Sequence, residues 1–365
     1  MKYTKPIFQI ALTQLCGFGT IKSKQLLAAV ENEEAIFALP LKKLAQISGF
    51  NIEFLKKMER DKALEKANAI YASIQRFGIQ SIFYTDAEYP RRLKQCADAP
   101  LVLYKRGNID LNNTRFVAVV GTREASDYGK KICTELIQQL EGSNIVVVSG
   151  MAYGIDITIH QLCLQHHVQT IGVMAHGLER VYPHLHRNVA KKMMDNGCLL
   201  SEYPPGTVPD KENFPMRNRI VAGMCDATIV VESKNKGGSL ITAELANDYA
   251  RDVFAYPGDV FHENSSGCNQ LIAANKAHLI QNGSDFLKKM GWNNGTTKPV
   301  QRSIFPSLSE DEQSIVQLLE QKGTLNLDVI SMQLNFPSSK LNVLLFQLEM
   351  SGIVALVPGN RCKLV

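Results

Sequence analysis

Apolar positions along the chain follow three different rhythms. Over residues 1–90 they recur at helical spacing, three or four apart. "LTQLCGFGTIKSKQLLAAV" sets Gly17 and Gly19 between apolar residues, and Lys22 and Lys24 open the helix that follows. "LAQISGFNIEFLKKM" partly repeats this, with Ser48-Gly49 and Lys56-Lys57. Both read as helix–Gly turn–helix units. They are either lysine-bearing contacts to a nucleic-acid backbone or a plain packing module.

From about residue 115 the rhythm changes to short unbroken apolar runs. FVAVV (116–120), IVVVS (145–149), TIGVM (170–174), CLLS (198–201), ATIVV (227–231) and VFAY (253–256) have the length and β-branched content of buried strands. Helical patterns separate them, which predicts an open, doubly wound α/β sheet with ligands at the C-terminal ends of its strands. A Gly/Asn/Pro-rich stretch at 291–307 reads as a linker. Three helices and a hairpin after it follow the winged-helix order. The expected domains are therefore 1–85 helical, 86–290 α/β core and 308–365 winged helix.

Composition narrows this picture. Apolar residues make up 45% and charged residues 21% of the 365, as in a globular rather than a disordered chain. With no unbroken apolar run of about eighteen residues, a membrane span is not expected. The N-terminus shows no signal-peptide cleavage pattern. Eight widely spaced cysteines with no C-x-x-C pair argue against a zinc ribbon or disulfide scaffold and read as reduced core residues. A cytoplasmic protein without a metal is expected. The net charge of +5 resides in residues 1–100, which hold 15 Lys+Arg against 10 Asp+Glu. From Leu308 onward four basic residues face six acidic ones, and Lys340 is the only cation on the third helix. That favours a protein contact or a vestigial role over DNA reading.

Chemistry gathers at the strand ends. "VVGTREAS" supplies Gly121, Thr122 and Arg123, and "SGMAYGID" supplies Ser149, Gly150 and Gly154 ahead of a helix. "FPMRNRIVAG" carries Arg217 and Arg219 at an apparent helix start, the end that electrostatically prefers anions. "ESKNKGGSLITAELA" carries Lys236, Gly237, Gly238 and Ser239. Arg123, Arg217, Arg219 and Lys236 are expected to converge on one sheet edge and to grip phosphates, helped by backbone amides. The glycine spacing is not G-x-G-x-x-G and no acidic residue is placed for a nicotinamide ribose, so a dehydrogenase is disfavoured. There is no Walker A motif, G-x-S-x-G elbow or defensible Cys/His pair. His160 reads as a core residue, Phe214 as a core residue in preference to a ring that packs a base, and Asp156 as a support for its own loop. His184 and His186, with Arg187, Lys191 and Lys192, read as a further basic face.

Seven ordered motifs, "VVGTREAS", "VSGMAYGIDITIH", "GLERVYPHLHRNVA", "SEYPPG", "FPMRNRIVAG", "GGSLITAELA" and "RDVFAYPG", closely resemble the DNA-processing protein A family (DprA, also called Smf) over about residues 80–290. The resemblance implies an extended Rossmann-like core, an N-terminal helix-hairpin-helix or SAM-like domain and a C-terminal winged helix. It further implies a non-enzymatic function without cofactor. Such proteins bind single-stranded DNA arriving in natural transformation, protect it, help load a RecA-type recombinase and self-associate, here as an expected homodimer. By motif, Gly121, Thr122, Arg123, Ser149, Gly150, Gly154, Arg217, Asn218, Arg219 and Lys236 to Ser239 would line the strand pocket. Arg187, Lys191 and Lys192 would form a lesser DNA face. Three positions depart from the family pattern: Lys236-Gly237 replaces a common Arg-Ser, and His184 stands where Lys or Arg is usual. One rival remains, since "GGSLITAE" distantly resembles a nucleotide phosphoribohydrolase signature. On that reading Glu244 would be catalytic and Arg217 would hold a nucleotide phosphate.

Overall fold

A computed structural model describes residues 3–113, 115–292, 308–350, 353–357 and 361–364. The chain divides into two compact units, Met1–Asn293 and Asn294–Val365. The linker expected at 291–307 lies outside the described residues apart from Gly291 and Trp292.

The first unit opens with six helices, α1 (Lys5–Leu12), α2 (Thr20–Ala28), α3 (Glu33–Ala38), α4 (Leu41–Ser48), α5 (Ile52–Lys56) and α6 (Arg60–Phe77). Gly49 ends α4 and Gly78 ends α6, both in the left-handed conformation that glycine adopts without a Cβ clash. Next come β1 (Gln80–Phe83), a short α7 (Arg91–Lys94) and β2 (Val102–Gly107).

The predicted strands follow as β3 (Arg115–Val120), β4 (Ile145–Ser149), β5 (Thr170–Val173), β6 (Gly197–Ser201), β7 (Ala227–Val230) and β8 (Asp252–Ala255), with a two-residue β9 (His278–Leu279). Between them run α8 (Asp127–Leu140), α9 (Ile155–Gln165), α10 (Arg187–Met193), α11 (Asn213–Gly223), α12 (Gly238–Asp248), α13 (Glu263–Ala273) and α14 (Gly283–Lys289). The sheet order is β1-β2-β6-β5-β4-β3-β7-β8-β9. Pairing is parallel from β6 to β9, whereas β2 runs antiparallel to both β6 and β1.

Alternation along the central strand explains why both sheet faces are covered. Phe116, Ala118 and Val120 face a core completed by Ile220 and Val221 of α11 and Ala243 of α12. Val117 and Val119 face the opposite core, with Leu136 of α8, Ile159 of α9 and Phe286 of α14. The antiparallel extension was not anticipated, because β1 and β2 lie outside the strand–helix alternation that signalled the rest. Their Phe83, Val102 and Tyr104 pack into a third core with Ile10, Leu12 and Leu26 of the N-terminal helices.

Chain order places the first parallel strand, β3, in the middle: β4 to β6 add on one side, and β7 to β9 on the other. The crevice where this direction reverses is the general ligand position of open α/β sheets.

The second unit holds α15 (Glu310–Lys322), α16 (Leu327–Leu334), α17 (Ser338–Met350) and a three-stranded sheet. Its strands are β10 (Leu325–Asn326), β11 (Val354–Val357) and β12 (Arg361–Leu364), in the order β10-β12-β11. A capping box between Ser309 and Glu312 starts α15. Lys340 on α17 is engaged by Asp311 at 2.7 Å, so the one cation of the third helix is already paired within its own unit.

Phe116 is fully buried at the sheet centre. Phe116→Ala should lower unfolding stability by about 3–5 kcal/mol, read as a fall in the urea midpoint of the first unit's transition.

Candidate nucleic-acid interface

The loop after β3 is held rigid by the end of β7. The Thr122 amide donates to the Glu232 carbonyl at 2.8 Å. Ser126 caps α8 by accepting from the Gly129 amide at 3.1 Å. The buried Glu232 carboxylate in turn accepts from the Ser126 hydroxyl at 2.5 Å and its amide at 3.0 Å. A carboxylate at a helix N-terminus is well placed. Behind this loop lies Gly154, at φ 75°, where a Cβ would run into the Thr122 and Arg123 backbone. The glycine permits the close approach that lets the Ile155 amide donate to the Thr122 carbonyl at 3.1 Å. What remains for a ligand is the exposed Arg123, whose guanidinium lies 5.6 Å over the Phe214 ring.

The loop after β4 does not present its amides as expected. Asp156, on the first turn of α9, accepts from the Gly150 amide at 3.1 Å and the Ala152 amide at 3.3 Å. The chain's own carboxylate thus occupies the donors that a phosphate would have used. Ser149 is fully buried and donates to the Val119 carbonyl at 2.6 Å. Ser149 and Gly154 therefore shape the site without lining it. Asp156 is a support for its loop, as the sequence suggests. Met151, at φ 58°, is pinned by His186, whose Nδ1 contacts its carbonyl at 2.8 Å.

The two arginines of α11 part company. The helix begins at Asn213, so Arg217 and Arg219 lie beyond its first turn, and the supposed clash with the positive helix end disappears. Positions two apart lie about 200° apart around a helix and cannot share a face. Arg217, 5% exposed, reaches under the β4 loop and donates to the carbonyls of Gly150 (2.6 Å) and Val173. Burial pulls its pKa down to about 10, against the opposing charge of Asp156. Arg219 points elsewhere, donating to the Glu202 carboxylate and the Asp98 carbonyl. It is a structural clasp, and the expectation that it would join the phosphate cluster is corrected. Burial raises the pKa of Glu202, while Arg219 draws it back.

These loops and α12 enclose a crevice of about 980 Å³ at the C-terminal ends of β3, β4 and β7. Of the residues singled out in the sequence, it is lined by Gly121, Thr122, Arg123, Gly150, Arg217, Asn218 and the run Lys236 to Ser239. Gly237 is the N-cap of α12, so that helix aims its positive end at the cavity, and Lys236 is exposed beside it. Lys234 also lines the crevice and is shared by Glu124 (3.4 Å) and Glu263 (3.2 Å), both exposed.

Sequence reasoning missed the aromatic wall. Tyr153 and Tyr182 are half exposed at the crevice, and Tyr182 lies 6.2 Å from Phe214. Phe214 is half-buried in the wall and not a core residue. Its place beside a proline and two arginines was the available signal. Lys211, exposed at the mouth, was also missed.

The lesser basic face is only partly assembled. Arg187 and Lys191 line a separate groove, Lys192 does not, and His186 is buried in its bond to Met151. His160 is fully buried against the Thr170 hydroxyl at 2.8 Å, a core residue as expected. Glu244 is exposed, 3.7 Å from Lys276, and does not line the crevice.

Arg217→Ala should cost about 3–5 kcal/mol in a urea titration, because it leaves Asp156 buried without its cation. Arg123→Ala should stay within about 0.5 kcal/mol in the same measurement. Burial pushes the His160 pKa from 6.5 to about 3, so the folded state keeps the ring neutral where the unfolded chain protonates it. Its contribution is complete above pH 6.5 and is lost between pH 6.5 and about 3, at about 1.4 kcal/mol per unit. His160→Gln should flatten the acid-unfolding profile in that window.

Residues 80–291 match the family model of DNA recombination-mediator protein A, and residues 302–360 match that of the DprA winged helix domain. The DNA processing protein DprA of Streptococcus pneumoniae is 40% identical over 268 residues, which are 73% of this chain and 93% of that protein. Protein Smf of Synechocystis is 33% identical over 296 residues, 80% of this chain and 74% of the relative. The X-ray structure of the S. pneumoniae protein superposes with a TM-score of 0.68 at 36% identity, covering 79% of this chain and 99% of that one. A structure of DNA processing protein A from Helicobacter pylori, solved for its unique single-stranded DNA binding mode, gives a TM-score of 0.53 at 29% identity, covering 59% and 96%. With its core motifs in order, its doubly wound sheet and its winged helix, the chain belongs to the DNA recombination-mediator protein A (DprA) family.

Proposed function

We propose that this protein binds single-stranded DNA without regard to sequence, in the crevice at the ends of β3, β4 and β7. In that role it would protect DNA entering during natural transformation and help load a RecA-type recombinase, acting as a homodimer in the cytoplasm. The observation that carries the reading is the crevice itself: Arg123, Lys211 and Lys236 stand exposed in the same lining as the N-terminus of α12 and the rings of Tyr153, Tyr182 and Phe214. Cations that track phosphates and ring faces that stack bases are what sequence-indifferent strand binding needs. The single-stranded DNA binding mode described for the H. pylori relative supports the same choice.

A non-enzymatic role is part of the proposal. On the phosphoribohydrolase reading Glu244 would have to reach the substrate, yet it is 59% exposed at its side chain and turned to Lys276. We further propose the boundaries 1–85, 86–290 and 308–365 for the helical, DNA-binding and winged-helix domains. Within the last, an acidic balance and a paired Lys340 suit a protein contact better than DNA.

The test is a titration of the full chain with oligodeoxythymidylate across salt. Arg123→Ala and Lys236→Ala should each weaken binding several-fold and make the slope of log affinity against log salt shallower by about 0.7, one phosphate contact apiece. Unchanged affinity and slope in both variants would refute the crevice as the DNA site. Release of free base from nucleoside monophosphates would instead revive the hydrolase.

A further inference from the structure

A second cavity, of about 520 Å³, lies next to the crevice, between β2, β6, α10 and the loop after β5. Its floor is apolar, built from Leu178, Val181, Ala190, Met194 and Leu199. Its rim is cationic, with Arg106, Arg180, Arg187 and Lys191, joined by His184. Glu179 is the one carboxylate in this lining; it is largely buried and holds Arg180 at 2.8 Å. Arg106 is braced by the Leu178 carbonyl at 3.5 Å. Arg187 and Lys191 are both exposed and one helical turn apart on α10, so they face the groove together. Like charges at that spacing disfavour the helix slightly, and α10 carries no acidic residue to offset them.

The groove and the crevice share a wall. Val181 and His184 line the groove, whereas the two residues between them, Tyr182 and Pro183, line the crevice. On that crest Tyr182 is 50% exposed. We infer that the groove is a second subsite for the same strand. A segment leaving the crevice crosses the Tyr182 crest, places its next phosphates against Arg187, Lys191 and Arg180, and lays a base on the apolar floor. The inference rests on the reading of the crevice as a single-strand site. Continuity with that crevice, added to a rim of four cations against one carboxylate, selects nucleic acid over an acidic peptide.

The experiment compares a short oligodeoxythymidylate of about 4 nucleotides, enough for one site, with one of about 12. The proteins compared are the full-length parent, Arg187→Ala/Lys191→Ala, Arg123→Ala and a charge control, Lys131→Ala/Lys192→Ala. The two groove cations are solvent-exposed, and a urea titration of each variant checks that the fold is kept. The groove variant should bind the long strand about ten-fold more weakly, with a salt slope shallower by about 1.4 for two lost phosphates, and bind the short strand like the parent. Arg187→Lys/Lys191→Arg should restore the long-strand affinity. The inference is overturned if the groove variant matches the parent on the long strand, as an acidic-peptide groove would require. It is equally overturned if the loss is the same at both lengths or is reproduced by the charge control. Failure of the crevice reading looks different: Arg123→Ala would then bind both strands like the parent.

Discussion

Arg217 is drawn out of water to stand under the loop after β4, where it donates to Gly150 and Val173 while Asp156 takes up the amides of the same loop. A guanidinium and a carboxylate that deep are tolerable only if their hydrogen bonds are met, so the backbone around them has little freedom. Gly150 stands between the two groups, and a Cβ there would strike both. The Gly154 approach then transmits this order to the β3 loop, and Glu232 ties that loop to β7. The three strand ends thus form one braced rim, and Arg123 is displayed from it at little further entropic cost.

This arrangement divides the cations by task. Those taken into the protein, Arg217 and Arg219, are consumed by carbonyls and carboxylates and secure the fold. Those left outside, Arg123, Lys211 and Lys236, are free to exchange water for phosphate. Lys234 is intermediate, shared by two exposed carboxylates that a strand would have to displace. Such exposed pairs are weak, so the exchange is inexpensive.

Much of the fold was legible in the pattern of residues. Unbroken β-branched runs such as FVAVV announce strands buried on both faces, and their alternation with helices dictates a doubly wound sheet whose ligand crevice has a predictable position. The glycines of the β3 and β4 loops were equally visible. Their functions were only partly so, because a glycine that admits a ligand and one that admits another loop look identical in one dimension. Residue spacing on α11 held an unused clue: arginines two apart on a helix diverge, which already separates Arg217 from Arg219.

Other features depended on partners remote in sequence. β1 and β2 join the sheet because Phe83, Val102 and Tyr104 find apolar cover in the N-terminal helices, a contact no local window contains. Whether a buried arginine binds a ligand or a carbonyl depends on what folds over it, and Gly150 lies 67 positions from Arg217. Tyr153, Tyr182 and Phe214 become one wall only when two loops and the first turn of α11 meet. Local spacing alone therefore determined the strands β3 to β8, the helices between them and the crevice they imply. Tertiary packing decided which charges remain free, since desolvation acts on the assembled surroundings and not on the residue's neighbours in the chain.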